Sequence, residues 1–367
     1  MEKRRSAKNP WVVVLIIVLI AMLVAYGLAR IVKNATSSDG FGHTKSMEIA
    51  NIQDLQTISN GFVYYDGNTV SSISSSGGVN WSYMVGVEAD YYATDSGVAV
   101  WKDKTLTLID TGSGETGFNG EMDDTILSAH MGSKYTAVVI GEEMNSTIVV
   151  MESGGREVSQ IILDDVDVIN YGFFSNGSLL WVMICDSNGT VPTCNIQTYR
   201  PGKEIVGKIS DTQQLDYAVM FQSSQVLVAG DTYIKSYDYT GTEDKSQRTL
   251  IYGWYLAAVD EGVNDPLVAL VNDAQLSGES DIRDVRLLRS DVDTVIRMPF
   301  GCNDVVVVGN YLYGFATDGH LMIAKAGEKT VSSYQLGFTI DKVYGVTRDK
   351  VAVLGNGSTI YLVKLEK

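Results

Sequence analysis

The chain has 367 residues, 45% of them apolar, with 36 Gly, only 5 Pro and a formal net charge of −16. That apolar share, without a G-X-Y or heptad pattern, excludes collagen-like, coiled-coil and disordered classes. The acidic balance argues against nucleic acid as a partner, because phosphates would be repelled.

Residues 1–10 form a basic tail carrying Lys3, Arg4, Arg5 and Lys8. Residues 11–29, WVVVLIIVLIAMLVAYGLA, carry no formal charge. As a helix this run spans about 28 Å, close to the ~30 Å hydrocarbon core of a bilayer. It predicts one transmembrane signal anchor over 11–32, with Trp11 and Tyr26 as membrane-interface residues. Four basic residues precede the run and two, Arg30 and Lys33, follow it. This bias predicts a cytoplasmic N-terminus and an extracytoplasmic bulk, hence a single-pass protein of the cell membrane. A cleaved signal peptide is the competing reading, with an apolar region of ~7–15 residues and a small-x-small site. Here the run is longer, and Gly27-Leu28-Ala29 is followed at once by Arg30. Beyond residue 33 lie 22 of the 28 basic and 43 of the 44 acidic side chains, a balance of −21.

Residues 33–45, KNATSSDGFGHTK, are polar and aperiodic and predict a flexible tether. From residue 46 to 367 no stretch carries a helical apolar stripe. Short runs of β-branched and aromatic residues alternate instead with Gly, Asn, Asp and Ser clusters, the pattern of an all-β domain. One strongly apolar strand recurs, starting at Phe62, Val98, Thr136, Leu179, Val226, Leu267, Leu312 and Val351. The spacing averages about 41 residues, which indicates a single β-propeller with several strands per unit. Eight four-stranded blades fit the length; seven, with one merged unit, is the alternative.

Strand order within a unit is legible in the second, where ADYYATDSG, VAVWKD, TLTLIDTGSG and ETGFNGEM read as strands a to d. The last unit offers IDKVYGVT, KVAVLGN and TIYLVKL, three strands only. MEIANI at 47–52 supplies the fourth, closing the ring with an N-terminal strand and removing an unpaired edge. Gly77, Gly112, Gly154, Gly202, Gly241 and Gly327 mark the c-to-d turns, where positive φ is required.

Asp110-Thr111-Gly112, Tyr239-Thr240-Gly241 and Trp81 resemble the pyrroloquinoline-quinone-type β-propeller repeat, a WD40/YVTN-like unit. It is found in quinoprotein dehydrogenases and in the outer-membrane assembly scaffold lipoprotein. The resemblance covers 47–367 and implies that Trp81 is a blade-docking residue, with Phe118 a substitute at the next such place. The whole arrangement is similar to uncharacterised single-pass propeller proteins of Gram-positive bacteria, which implies little about activity.

Motifs with chemical meaning read more simply as structure. Gly112-Ser113-Gly114-Glu115-Thr116-Gly117 matches G-x-G-x-x-G, but FNGEMDD cannot start the helix that a dinucleotide needs. Gly202–Lys208 matches most of a phosphate loop, but Ile209 replaces the Ser or Thr. His43, His130 and His320 are isolated, without metal-ligand spacing. Glu121–Asp124 and Asp164–Asp167 lack the spacing of a calcium loop and read as solvated inter-blade segments. Tyr91 and Tyr92 must point to opposite faces, so at most one is core. Cys185 and Cys194 flank a turn-rich stretch and form a possible disulfide outside the cytoplasm; Cys302 reads as a buried apolar residue.

Catalytic, cofactor-binding and metal-binding residues are therefore expected to be none, and the protein is expected not to be an enzyme. The sequence points to a membrane-anchored extracytoplasmic scaffold that binds an envelope protein or cell-surface polymer. A sensor acting through a membrane partner is the alternative, followed by a quinoprotein-like or glycan-active enzyme.

Overall fold

A computed structural model describes residues 44–174, 177–186, 193–222, 224–260, 263–278 and 280–365. The expected anchor, most of the tether, Trp11 and Tyr26 lie outside the described residues. Among those described, no helix is long and apolar enough to cross a membrane.

The described chain folds into eight four-stranded antiparallel sheets. Strand β1 (Thr44–Glu48) stands apart from its own neighbours in sequence. Blade 1 holds β2 (Asp54–Ile58), β3 (Gly61–Tyr65), β4 (Thr69–Ser74) and β5 (Val79–Met84) as strands a to d. Blade 2 holds β6 (Asp90–Ala93), β7 (Val98–Lys102), β8 (Thr105–Ile109) and β9 (Thr116–Glu121). Blade 3 holds β10 (Ile126–Met131), β11 (Tyr135–Glu142), β12 (Asn145–Glu152) and β13 (Glu157–Asp164). Blade 4 holds β14 (Asp167–Phe173), β15 (Leu180–Asp186), β16 (Thr193–Tyr199) and β17 (Ile205–Ser210). Blade 5 holds β18 (Asp216–Gln222), β19 (Gln225–Gly230), β20 (Tyr233–Asp238) and β21 (Glu243–Leu250). Blade 6 holds β22 (Tyr255–Val259), β23 (Val268–Val271), β24 (Ile282–Arg289) and β25 (Val292–Cys302), with a short helix α1 (Asp273–Leu276) between its second and third strands. Blade 7 holds β26 (Asp304–Val308), β27 (Tyr311–Phe315), β28 (His320–Lys325) and β29 (Val331–Gln335). Blade 8 holds β30 (Lys342–Val346), β31 (Val351–Asn356) and β32 (Thr359–Lys364), with β1 as its outer strand.

The count is eight, not seven, and all eight strongly apolar runs are the second strand of a blade. Their composition follows from the packing. Alternate residues of a strand point to opposite faces, and each blade lies between two others. Val138 and Ile140 of β11 pack with Leu106 and Leu108 of blade 2, while Ala137 and Val139 pack with Leu180 and Val182 of blade 4. Both faces are buried, so the strand reads as an unbroken apolar run. The core is thus a series of layers between blades, and Phe62 and Ile73 with Val353 and Leu362 form the layer that joins blade 1 to blade 8.

The closing strand is Thr44–Glu48, three residues earlier than MEIANI. Lys45 pairs with Leu362 and Thr44 with Val363, because β32 continues to Lys364 and its outer edge has to be covered. Ile49, just past the strand, is buried in the same layer. Two of the expected turn glycines are also displaced. Positive φ falls on Gly114 and Gly155, not on Gly112 and Gly154. In the first case Asp110 Oδ1 accepts from Gly112 N at 3.1 Å and Ser113 N at 2.7 Å, so the carboxylate shapes the start of the turn and the left-handed residue comes later.

Candidate functional site

Antiparallel order places the a–b and c–d connections on one face of the disc and the b–c and d–a connections on the other. The eight a strands line the central channel, where one of their edges has no sheet partner. Side chains satisfy that edge. Gln56 Nε2 donates to Tyr91 O at 3.2 Å and Gln56 Oε1 accepts from Ala93 N at 2.8 Å, joining blades 1 and 2. Thr94 Oγ1 donates to Met131 O at 2.9 Å, and Thr57 Oγ1 to Tyr344 O at 3.0 Å.

At the a–b face the channel opens into a cavity of ≈ 540 Å³. It adjoins a second of ≈ 190 Å³, with His130, Phe173, Val259 and Asp260 lining both. One wall is aromatic. His130 lies 4.7 Å from the Tyr92 ring and 6.3 Å, edge-on, from Phe173; Phe174 and Phe221 lie 4.8 Å apart. Burial lowers the His130 pKa to about 4, so the imidazole is neutral at neutral pH. Carboxylates also line the cavity. The buried Asp260 accepts from Gly309 N at 2.7 Å. Burial raises its pKa, while the Gly309 N–H and the nearby Arg348 and Arg289 oppose the rise. Ser59 N donates to Asp95 at 2.7 Å on the same rim. This arrangement can hold a small amphipathic molecule. The rings of Tyr92, Tyr171 and Phe173 pack around His130.

A groove of ≈ 670 Å³ between blades 5 and 6 is opened by a break in the β20–β21 ladder after Ile234. Two of its arginines are paired with carboxylates and a third with a neutral amide. Arg248 Nη2 donates to Glu243 at 2.9 Å, Arg286 to Asp293 at 2.8 Å and Arg289 to Asn310 at 2.7 Å. Among the described residues no group of three or more His, Cys, Asp or Glu is placed to hold a metal.

The expected site residues fall in separate places. Trp81 lies on β5, and its Nε1 donates to Thr111 O of blade 2 at 2.9 Å. Its ring covers Gly114, where an added Cβ would meet Trp81 Cγ at 2.5 Å. Phe118 covers Gly155 of blade 3 in the same way. At ring closure Lys45 takes that place, its Nζ donating to Ser76 O at 3.0 Å and Gly77 O at 3.1 Å. Cys185 and Cys194 are directly opposite on β15 and β16, both as partly buried free thiols. Burial, then the neighbouring Cys185, pushes the Cys194 thiol up to about 11. Cys302 is buried and donates to Ile282 O. Tyr91 is buried, with its hydroxyl donating to Val63 O, whereas Tyr92 faces the channel wall. The G-x-G-x-x-G stretch is a turn running into β9.

Sequence reading missed a buried ion pair. Lys235 of β20 has 2% of its side chain exposed and Asp211, in the loop before β18, has 4%. Asp216 stands beside them, its carboxyl raised by burial to about 6. Lys235 sits in IKSY, where alternation alone gives no sign that its polar side chain turns inward.

The fold defines the chain as an eight-bladed β-propeller of four-stranded blades. No family model and no curated protein matches the chain. Among solved structures it is similar to BamB from Moraxella catarrhalis, at 12% identity and a TM-score of 0.54, over 87% of this chain and 95% of that one. It is also similar to Sqt1 from Saccharomyces cerevisiae, at 8% identity and a TM-score of 0.58, over 88% and 98%. The C-terminal WD40 domain of Sif2 matches at 10% identity and a TM-score of 0.57, over 88% and 99%. At such identities the likeness is one of fold.

Proposed function

We infer that this protein is a membrane-tethered, extracytoplasmic propeller that binds an envelope protein or cell-surface polymer and catalyses no reaction. The observation that carries the reading is the ring closure. β1 is entered at Thr44 and β32 leaves at Lys364 on the same a–b/c–d rim. A tether running from an anchor over 11–32 therefore reaches one face of the disc and leaves the other open. The disc shared with BamB, Sqt1 and Sif2 supports a scaffold role by analogy of fold. Within this reading the repeat is of the pyrroloquinoline-quinone type, and Trp81 docks blade 1 onto blade 2. Cys185 and Cys194 become a disulfide in the oxidising exterior, and Trp11 and Tyr26 sit at the membrane interface.

The test is affinity capture of the full-length protein from crosslinked native membranes, with a control keeping residues 1–45 and lacking the propeller. A defined envelope partner captured only with the propeller is the expected result. An empty capture refutes the scaffold. The aromatic wall of the channel cavity favours one second reading, a sensor that takes a small ligand and acts through a membrane partner. That reading requires the captured partner to change when ligand is added.

A further inference from the structure

Large apolar side chains are exposed unevenly around this disc. On the b–c/d–a face, Val87, Leu127, Ile169, Leu215 and Tyr252 follow one another at the entries to blades 2, 3, 4, 5 and 6. Leu276 of α1 extends the series within blade 6, with 48% exposure against 77% for Tyr252. Blades 7 and 8 contribute no exposed large apolar residue among those described. Leu127 and Ile169 are the extra residues of β-bulges at the start of β10 and β14. A bulge re-aims a side chain away from the regular pleat, and both side chains are left in solvent.

The same sector is acidic. Its loops in blades 2 to 4 expose Glu88, Asp103, Asp123, Asp124, Glu143 and Asp165. Lys104 is the single basic residue in those loops, 3.5 Å from Asp124, while Lys102 at the end of β7 lies 3.7 Å from Glu88. An apolar arc bordered by carboxylates complements a partner with the opposite charge and a matching apolar stripe.

We propose that the arc from Val87 to Tyr252 is a docking surface for a cationic amphipathic helix of a partner protein. Apolar side chains of that helix cover Leu127, Ile169 and Leu215, while its Lys and Arg residues face the carboxylates of blades 2 to 4. The inference rests on the scaffold reading and names its surface and the chemistry of its partner. The arc lies on the face opposite the entry of β1, so a tether leaves it open.

The probe is an amphipathic Lys/Leu helix of about 18 residues, five turns long, carrying a photo-crosslinker. It is titrated onto the full-length protein in nanodiscs of zwitterionic lipid, with empty discs subtracted. Binding is expected to saturate, to weaken with salt, and to place crosslinks on the loops of blades 2 to 6. The triple variant Leu127→Ser, Ile169→Ser, Tyr252→Ser should weaken it at least about tenfold. Val79→Ser, Ile205→Ser, Val295→Ser, three exposed residues of outer strands, should change it by less than about twofold. Equal effects of the two triple variants overturn the proposal. So does equal binding of a scrambled Lys/Leu peptide, which would reduce the attraction to bulk charge. A dimer of the protein alone, abolished by the arc variant, assigns the arc to a second copy and likewise overturns it. The native-membrane capture is repeated with the arc variant. If it still returns the partner, the scaffold stands and the arc fails. If the helix binds through the arc while capture is empty, the arc stands and the envelope-scaffold reading fails.

Discussion

Lys235 and Asp211 form a pair whose removal separates electrostatics from packing. Both side chains are almost wholly enclosed. Asp211 Oδ1 also accepts from Gln213 N at 2.8 Å, and Lys235 Nζ lies 3.5 Å from Gln213 Oε1. Lys235→Met keeps the length of the side chain and removes its charge. The Asp211 carboxylate is then left enclosed without its directly paired cation, beside Asp216. Breaking a buried pair costs about 3–5 kcal/mol, whereas replacing both partners by apolar groups of similar volume is near neutral or stabilising. Lys235→Met and Asp211→Leu alone should each lower stability by about 3–5 kcal/mol, and the double variant should lie within about 1 kcal/mol of the parent. At roughly 2 °C per kcal/mol for a domain of this size, each single variant melts about 6–10 °C lower. Urea titration followed by tryptophan fluorescence and circular dichroism reads all four proteins. A double variant as unstable as either single one would refute the argument, because the loss would then come from packing. A single-variant loss below about 1 kcal/mol would mean that the remaining charge reaches water.

Further expectations concern blade docking, pH and the thiols. Trp81→Ala removes the bond to Thr111 O and uncovers Gly114, with an expected loss of about 2–4 kcal/mol. Gly114→Ala, at φ +74 and against the same ring, should cost about 1–3 kcal/mol; denaturant midpoints of the double variant should fall short of additivity. The folded Asp216 carboxyl titrates near 6 against an ordinary 3.8, so the folded state holds the extra proton between those values. Its contribution is present below about pH 4 and is lost as pH rises to about 6, at most about 3 kcal/mol. Asp211 and Asp231 add to the rise while Gln214 and Lys235 oppose it, and Asp216→Asn should be the more stable protein at neutral pH in melts across that range. Directly opposed Cα atoms of an antiparallel pair lie about 4.5–5.5 Å apart, inside the disulfide range. Equilibration with oxidised glutathione should therefore protect Cys185 and Cys194 from alkylation, with Cys302 unreactive until unfolding. Continued alkylation of the opposed pair would refute the disulfide.

Much of the architecture was legible because it rests on local pattern. Runs such as VAVWKD and TAVVIGE face a blade on each side, so burial on both faces leaves an unbroken apolar signature at a period near 40. The strand-like MEIANI upstream of the first unit also announced ring closure, which β1 makes by pairing with β32. Exact ends were not legible. The closing strand began at Thr44 because β32 continues to Lys364, and that extent is a property of the pair, not of MEIANI.

The candidate sites were legible only in part. Trp81 stood out by residue type, but the Gly114 it covers lies in a turn of the next blade, shaped by the Asp110 carboxylate. His130, Phe173 and Asp260 come from different blades, and no spacing along the chain relates them until eight a strands converge on one axis. The arc of Val87, Leu127, Ile169, Leu215 and Tyr252 is hidden for the same reason. Each is an ordinary apolar residue near a turn, and only the common direction of the a strands puts them on one face. The sequence by itself determined the class, the blade period and the closure, because alternation and turn chemistry act between near neighbours. The tertiary structure alone decided which side chains meet, since the channel, the buried Lys235 and the acidic apolar arc arise only from superposing units about 40 residues apart.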